Sequence, residues 1–149
     1  MYFVDRKKIE AKLHYMEQIN SIYSQLLETK GDLADLALER AAQGWIEAII
    51  DTGNEMIDGF IMRDPGSYTD IIDILEDEKV LPNTEAEQLK NVVNRRKELV
   101  QEYTSIDHTA LLATLNNNLD AIRAFPARIR YYLEQELGPV SAFLPEDKK

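Results

Sequence analysis

Arg96 is the residue of this sequence whose chemistry is hardest to reconcile with its position. The hydrophobic periodicity predicts a helix that opens near Thr84 and places Arg96 on an apolar stripe. The other members of that stripe are Val92, Val93, Leu99, Val100 and Tyr103. A guanidinium keeps its charge, so on such a stripe it needs a partner of opposite charge. Two interpretations stay open. In the structural one, Arg96 forms a salt bridge to an inward-facing acid, or lies at the edge of the stripe with its stem extending outward to solvent. In the functional one, Arg96 binds an anion in a cleft or interface, with Tyr103 beside it.

Four other side chains are weaker candidates for a functional site. Asp51 and Asn54 lie opposite much of the apolar stripe of the second predicted helix, so they face either solvent or a site. His108 follows an acidic residue where a helix should begin, which is more typical of a surface or capping histidine than of a base. His14 on the first helix invites the same interpretation. No Glu-x-x-His pair occurs, so neither a di-iron bundle nor another metal site is predicted, and a metal enzyme using the Asp51 and Asn54 face lacks a ligand set.

Composition and charge narrow the function classes further. The sequence has no cysteine, which excludes disulfides, cysteine-ligated zinc and a thiol nucleophile. Its net charge is −10, and residues 30–80 carry thirteen acidic and four basic side chains. A phosphate-binding surface is therefore expected only outside this acidic middle, which is either a set of solvated helix faces or a face that repels nucleic acid or docks a basic partner. No apolar run approaches the ~18 residues of a membrane span, and the N-terminus does not resemble a signal peptide, so a cytoplasmic location is expected.

The elements that must position these residues are all helical. Apolar residues recur every three or four positions between turn signals, and short loops between long helices are typical of an antiparallel bundle of four to five helices. We expect a first helix from Asp5 to Gly31, a second from Leu33 to Phe60 and a short third helix capped by Ser67. A Thr84–Glu87 capping box should open the fourth helix. The fifth helix, with Ser105 or Asp107 as its cap, should run through Leu111 and Ile122, and the last helix from Pro126 to Gly138. Gly44 and Gly53 inside the second helix predict close approach of a neighbouring helix. We expect one domain over residues 1–138 and a loosely ordered tail over 139–149.

Four segments of the sequence resemble the HepT-like family of small HEPN ribonucleases. They are residues 37–41, 48–54, 65–70 and 96–103, in that order along the chain. The family's most specific signature is Arg-x4-His-x-Tyr, which Arg96 and Tyr103 match, and the pair Gly53-Asn54 supports the resemblance. The histidine position holds Gln101 instead. Glutamine has no usable pKa, so the resemblance implies a site that has lost its general acid–base group, at a cost of about 10²- to 10⁴-fold in rate.

The resemblance implies a function and a set of partners. The fold is expected to be a HEPN-like homodimer with its cleft between protomers, because Arg96 and Gln101 point about 140° apart on one helix and would hardly converge within a chain. The implied substrate is RNA, cleaved without metal or cofactor. The implied antitoxin is an MntA-like minimal nucleotidyltransferase that AMPylates the motif tyrosine, here Tyr103. Two further hypotheses are that His108 reaches the cleft in place of the missing imidazole, and that the protein is a non-catalytic homodimeric binding or scaffold module.

Overall fold

The computed structural model describes residues 3–138 and shows an all-α protein. Within this range there are six helices of ten or more residues, one helix of five residues and one 3₁₀ turn. Their bounds are α1 Arg6–Glu28, α2 Asp32–Gly59, α3 Tyr68–Asp77, α4 Asn83–Val93, α5 Arg96–Val100, the 3₁₀ turn Tyr103–Ser105, α6 His108–Asn117 and α7 Leu119–Leu137. No helix in the described range is long and apolar enough to cross a membrane. The tail predicted from residue 139 onward lies outside the described residues.

The two longest helices, α1 and α2, form the antiparallel hairpin on which the other helices pack. The Asp5 side chain caps α1 by accepting from the Lys8 backbone N–H at 3.1 Å, as predicted. Gly31 does not end α1 as predicted, because α1 already ends at Glu28. It lies instead at the start of α2, as its N-cap, with φ +91°. The fully buried Trp45 ring lies 5.0 Å from that of Tyr23 and donates to Asn20 Oδ1 at 3.0 Å. The hairpin therefore has a rigid aromatic centre whose polar atom is satisfied.

Gly53 lets α3 approach α2 closely, as the sequence predicted. A Cβ atom at this position would overlap Ile71 Cγ2, so the α3 side chain occupies the space that any larger residue would need. Gly44 plays the same part toward α1, since a Cβ atom there would lie 2.8 Å from Ile19 Cδ1. Helix α3 itself begins as expected, with Ser67 Oγ accepting from the Asp70 N–H at 3.0 Å. The predicted close approaches and this predicted cap are confirmed.

The predicted fourth helix is wrong in two respects. It begins at Asn83 with Pro82 as its N-cap, so Thr84 lies inside the first turn and provides no side-chain cap. It also ends at Val93, and a new helix starts at Arg96. The backbone at Arg95 (φ −79°, ψ −5°) leaves ideal helical geometry, and its side chain donates to Thr114 Oγ1 on α6 at 3.0 Å. A continuous stripe from Val92 to Tyr103 therefore does not exist.

The predicted break at Pro126 is also wrong. Pro126 lies inside α7, and the two last helices separate eight residues earlier, at the buried Asn118. The Asn118 amide donates to the Thr114 carbonyl at 2.7 Å and accepts from Asn91 at 3.3 Å, so a local side-chain bond competes with continuation of α6. The predicted ends at Asp107 and Gly138 are confirmed: Asp107 Oδ1 accepts from the Ala110 N–H, and Gly138 terminates α7 at φ +82°.

Candidate functional site

Arg96 is paired with an acid on α2. Its Nε donates to Glu47 Oε2 at 2.6 Å, and its Nη2 lies 3.5 Å from Glu47 Oε1. The guanidinium carbon also lies 4.5 Å from the centroid of the Tyr68 ring, at the first position of α3. The Arg96 side chain is 23% exposed, so it is only partly accessible to solvent. Of the two interpretations of Arg96, salt bridging by an acid is what the structure shows; anion binding stays a prediction.

The electrostatics of this site favour the charged arginine and leave it without excess positive charge. The hydrogen bond to Glu47 raises the pKa of Arg96 against partial desolvation, and the negative charges of Glu47 and Asp51 act in the same direction. Arg96 is one positive charge beside two carboxylates, those of Glu47 and Asp51. One copy of the chain therefore presents a site whose three charged groups sum to −1, which repels phosphate at long range.

The five-residue helix α5 is held on two sides, and this fixes Arg96. Arg95 reaches α6, where its Nη2 donates to the Ala110 carbonyl at 3.3 Å in addition to the bond with Thr114. Glu98 contacts Arg95 at 3.3 Å and accepts from the Asp107 N–H at 3.0 Å. Consecutive arginines therefore point to different helices, one to α6 and one to α2. Because Arg95 and Glu98 connect α5 to α6 and to the segment before it, the backbone that carries Arg96 is held beside Glu47.

Gln101 and Tyr103 lie on the segment that connects α5 to α6. Gln101 is the C-cap of α5, its N–H donates to the Lys97 carbonyl at 2.8 Å, and its side chain is exposed. Tyr103 opens the 3₁₀ turn and is 66% exposed. Since Glu102 leaves helical geometry at φ −109° and ψ 37°, Tyr103 does not continue the face that carries Arg96. Within one chain the structure brings neither side chain to the arginine.

The other predicted residues lie in two different regions: Asp51 and Asn54 follow Glu47 on α2, whereas His108 lies near the start of α2. Asp51 is exposed one turn beyond Glu47 on α2, and Asn54 is half-buried on the same face. His108 belongs elsewhere: its Nε2 lies 2.7 Å from Glu39 Oε2 and its Nδ1 3.9 Å from Asp35 Oδ2. Glu39 and Glu47 are about 12 Å apart along α2, so His108 does not reach the arginine of its own chain.

His108 borders a shallow cavity of about 180 Å³, lined by both apolar and polar side chains, between the end of α1, the start of α2 and the start of α6. His14 is on the outer side of α1, 3.5 Å from Glu10 Oε1 and 68% exposed. His14 therefore pairs within its own helix, whereas His108 links the start of α6 to α2. Among residues 3–138 no cluster of three or more histidine, aspartate or glutamate side chains is arranged to hold a metal ion.

Three residues that complete the site were missed at the level of sequence, namely Glu47, Tyr68 and Arg95. A signal existed for Glu47, because Glu47, Asp51 and Asn54 recur at four and three residues and so share one face of α2. No signal connected that face to Arg96, which is 49 residues away. Tyr68 stands out only through its exposure, and Arg95 only through the helix break that it accompanies.

The fold is that of HEPN-like all-α proteins. A solved toxin–antitoxin structure with AMP-PNP superposes with a TM-score of 0.63 at 18% identity over 83% of this chain and 92% of that one. A tri-AMPylated Shewanella oneidensis HEPN toxin in complex with its MNT antitoxin also gives a TM-score of 0.63, at 19% identity over 83% of this chain and 91% of that one. At such identities the likeness concerns the fold alone.

Sequence similarity identifies the family. Residues 12–129 match the family model "Ribonuclease HepT-like", so the chain belongs to the HepT-like ribonuclease family. It is 50% identical over 143 residues to the Bacillus subtilis (strain 168) protein described as "Putative RNase YutE", covering 96% of this chain and 99% of that protein. A solved structure of YutE, described as a cytosolic protein of unknown function, superposes with a TM-score of 0.88 at 49% identity, over 95% of this chain and 99% of that one.

Proposed function

We propose that this protein binds RNA at the Arg96 site and cleaves it slowly, by a metal-independent route from which the general acid–base group is missing. The observation that carries the proposal is that Glu47 engages only part of the hydrogen-bonding capacity of Arg96. A guanidinium has five N–H donors in a planar fork. Glu47 faces two of them, at 2.6 and 3.5 Å, and three remain for the oxygens of a phosphate. Glu47 thus orients the arginine without using up its capacity to donate.

Gln101 limits the chemistry of this proposed site. In metal-free cleavage the ribose 2′-oxygen attacks the adjacent phosphorus, its proton goes to a base, and the 5′-oxygen leaves with a proton from an acid. Arg96 can stabilise the charge that develops on the non-bridging oxygens. Gln101 can hydrogen-bond to the 2′-hydroxyl but cannot accept or release its proton near neutral pH. We therefore expect binding to survive while the rate falls by about 10²- to 10⁴-fold.

We infer that the working form is a homodimer. Two observations support this: Gln101 and Tyr103 do not face Arg96 in their own chain, and a single site sums to −1 through Glu47 and Asp51. A twofold arrangement would place the arginine of one protomer near its counterpart and beside the α5–α6 connection of the other. Two arginines would then face one phosphodiester, which offsets the repulsion by the carboxylates.

The proposed regulatory partner is an MntA-like minimal nucleotidyltransferase, and the proposed location is the cytoplasm. The distant fold relatives are HEPN toxins held by MNT antitoxins, and YutE is described as cytosolic. Tyr103 is the proposed acceptor of AMP, because its ring is 66% exposed on a segment outside the helical core. A phenol hydroxyl in this position can attack the α-phosphorus of ATP, releasing pyrophosphate and its proton.

A second function, a non-catalytic homodimeric scaffold, is favoured by one specific observation. Arg96 is already neutralised by Glu47, and both histidines lie at other surfaces of the chain. A protein whose site only holds helices α2, α3 and α5 together would look the same. The two functions differ in whether RNA is cleaved and in whether a histidine at position 101 creates activity.

The deciding experiment compares RNA cleavage by the natural chain and Gln101→His in the presence of EDTA, with Gln135→His on the exposed face of α7 as control. We expect Gln101→His to raise kcat/KM by about 10²- to 10⁴-fold, because it restores a group that titrates near neutral pH, and Gln135→His to change nothing. RNA binding without cleavage by any of the three proteins would support the scaffold. Absence of RNA binding would refute both the nuclease and the RNA site.

A further inference from the structure

Tyr68 is an exposed aromatic ring fixed directly beside Arg96. Its ring is 47% exposed, and the guanidinium carbon lies 4.5 Å from its centroid. The guanidinium lies over one face of the ring, and 47% of the surface of the residue is still exposed. Aromatic rings that pack on arginine gain a cation–π contact, but that contact needs only one face. A ligand that stacks on Tyr68 would therefore use the other face.

The position of Tyr68 is determined by the loop and helix around it. Ser67 caps α3 through the Asp70 N–H at 3.0 Å. The Asp70 carboxylate in turn accepts both terminal nitrogens of Arg63, at 2.9 and 3.0 Å, and the Gly66 N–H at 2.8 Å. These bonds hold the pKa of Asp70 below its usual value, with the Arg63 bond as the main cause. The loop that presents the ring is therefore held by four hydrogen bonds within residues 63–70.

The packing of α3 fixes the distance between Tyr68 and Arg96. Ile71, one turn after Tyr68, occupies the space left by the absent side chain of Gly53 on α2. Glu47, which holds Arg96, lies on the same helix, less than two turns before Gly53. The ring and the guanidinium are thus both positioned by α2. A pair that is fixed in this way loses little freedom when a ligand binds.

An exposed aromatic ring next to a phosphate-binding cation is the arrangement by which proteins hold single-stranded nucleic acid, because every base has a face that can stack. We propose that Tyr68 is the base-stacking platform of the site and that the substrate is single-stranded RNA, with one base on the open face of the ring and a neighbouring phosphate on Arg96. This inference rests on the proposed RNA function. Bases inside an A-form duplex are not available for such stacking, so duplex RNA of the same sequence should bind more weakly.

The test uses single-stranded RNA that contains 2-aminopurine, whose fluorescence is quenched when it stacks on an aromatic ring. The proteins are the natural chain, Tyr68→Leu, Tyr68→Phe and, as control, Tyr131→Leu, which removes an exposed tyrosine from α7. We expect Tyr68→Leu to abolish the quenching and to weaken binding about 5- to 150-fold, the range for loss of one base–aromatic stack. Tyr68→Phe should keep both, since it keeps the ring face.

The outcomes separate this inference from the function on which it rests. If the natural chain binds no RNA, the proposed function fails first. If it binds RNA but Tyr68→Leu binds equally well, the stacking role is wrong while the function stands. A merely structural role for Tyr68 would change binding without a quenching signal in the natural chain. In Gln101→His the Tyr68→Leu change should raise KM more than it lowers kcat, and the reverse result would refute a role in binding.

Discussion

Replacing Glu47 by glutamine should strengthen RNA binding, although it removes half of a salt bridge. The amide oxygen of glutamine can still accept the Arg96 Nε–H that Glu47 accepts at 2.6 Å, so the guanidinium keeps its orientation. The change removes one negative charge from a site where Arg96 stands beside two carboxylates. Local charge therefore rises from −1 to 0, and a phosphate no longer meets a net repulsion.

The magnitude follows from the geometry. A phosphate oxygen bound on the open edge of Arg96 would lie ~5 Å from the Glu47 carboxylate. At the dielectric constant of water two unit charges at that distance repel by about 1 kcal/mol, which corresponds to about fivefold in Kd. The cost to folding is small, because the Arg96 and Glu47 side chains are 23% and 34% exposed and such pairs contribute about 0 to 1 kcal/mol.

The assay is fluorescence anisotropy of a labelled single-stranded RNA, with urea unfolding of the same proteins. The matched control is Glu85→Gln, which makes the same charge change in a pair with Arg128 (both contacts 2.9 Å) between α4 and α7. We expect Glu47→Gln alone to tighten binding, and its advantage to shrink as salt is raised. Equal or weaker binding by Glu47→Gln, relative to Glu85→Gln, would refute the argument that Arg96 is the phosphate contact.

Two further predictions concern stability. Gly53→Ala should destabilise the protein by about 1 to 3 kcal/mol in urea unfolding, because the new Cβ atom would overlap Ile71. Raising the pH from 10 to 12 should lower stability by up to about 2 kcal/mol, because burial raises the pKa of Tyr23 to about 12: the stabilisation is complete below the ordinary value near 10 and is lost as pH rises through the folded value. Melting temperatures recorded across this pH range measure the loss of stability.

Each stability prediction has its own control. Gly66→Ala changes a glycine whose added Cβ atom would meet nothing closer than 3.7 Å, so it should cost less than Gly53→Ala, and the opposite order would contradict the packing argument. Tyr23→Phe loses the 2.7 Å hydrogen bond to Asn116 but has no proton to release. Its melting temperature should fall less steeply above pH 10 than that of the natural chain, and parallel curves would show that another group is responsible.

The sequence was sufficient for those parts of the fold that depend on local signals. The caps at Asp5, Ser67 and Asp107 and the end at Gly138 were predicted, since each uses a side chain or a glycine within a few residues of the helix end. The two long helices followed from periodicity alone. The all-helical architecture and the family were therefore predictable from the amino-acid sequence.

The parts that failed depend on contacts distant in sequence. The stripe through Arg96 assumed an unbroken helix, but Arg95 bonds to α6 and the helix restarts. The partner of Arg96 is 49 residues away, and periodicity gives no register between helices. Pro126 normally ends a helix, but α7 continues through it, and the preceding helix ends at Asn118, whose side chain bonds to the nearby Thr114 carbonyl and to Asn91 on α4. Tertiary contacts decided the first two cases against the local preference, and at Asn118 a local bond contributes as well.

The opposite directions of Arg95 and Arg96 have a consequence for ligand capture. A free arginine side chain loses about 2 kcal/mol of rotational freedom when a ligand immobilises it. On α5 much of that loss has already occurred during folding, because one neighbour is tied to α6 and the guanidinium itself rests between Glu47 and Tyr68. An incoming anion therefore meets N–H donors whose orientation is already fixed. A lysine at position 96 lacks the planar Nε–H and would have to lose its rotational freedom each time an anion binds.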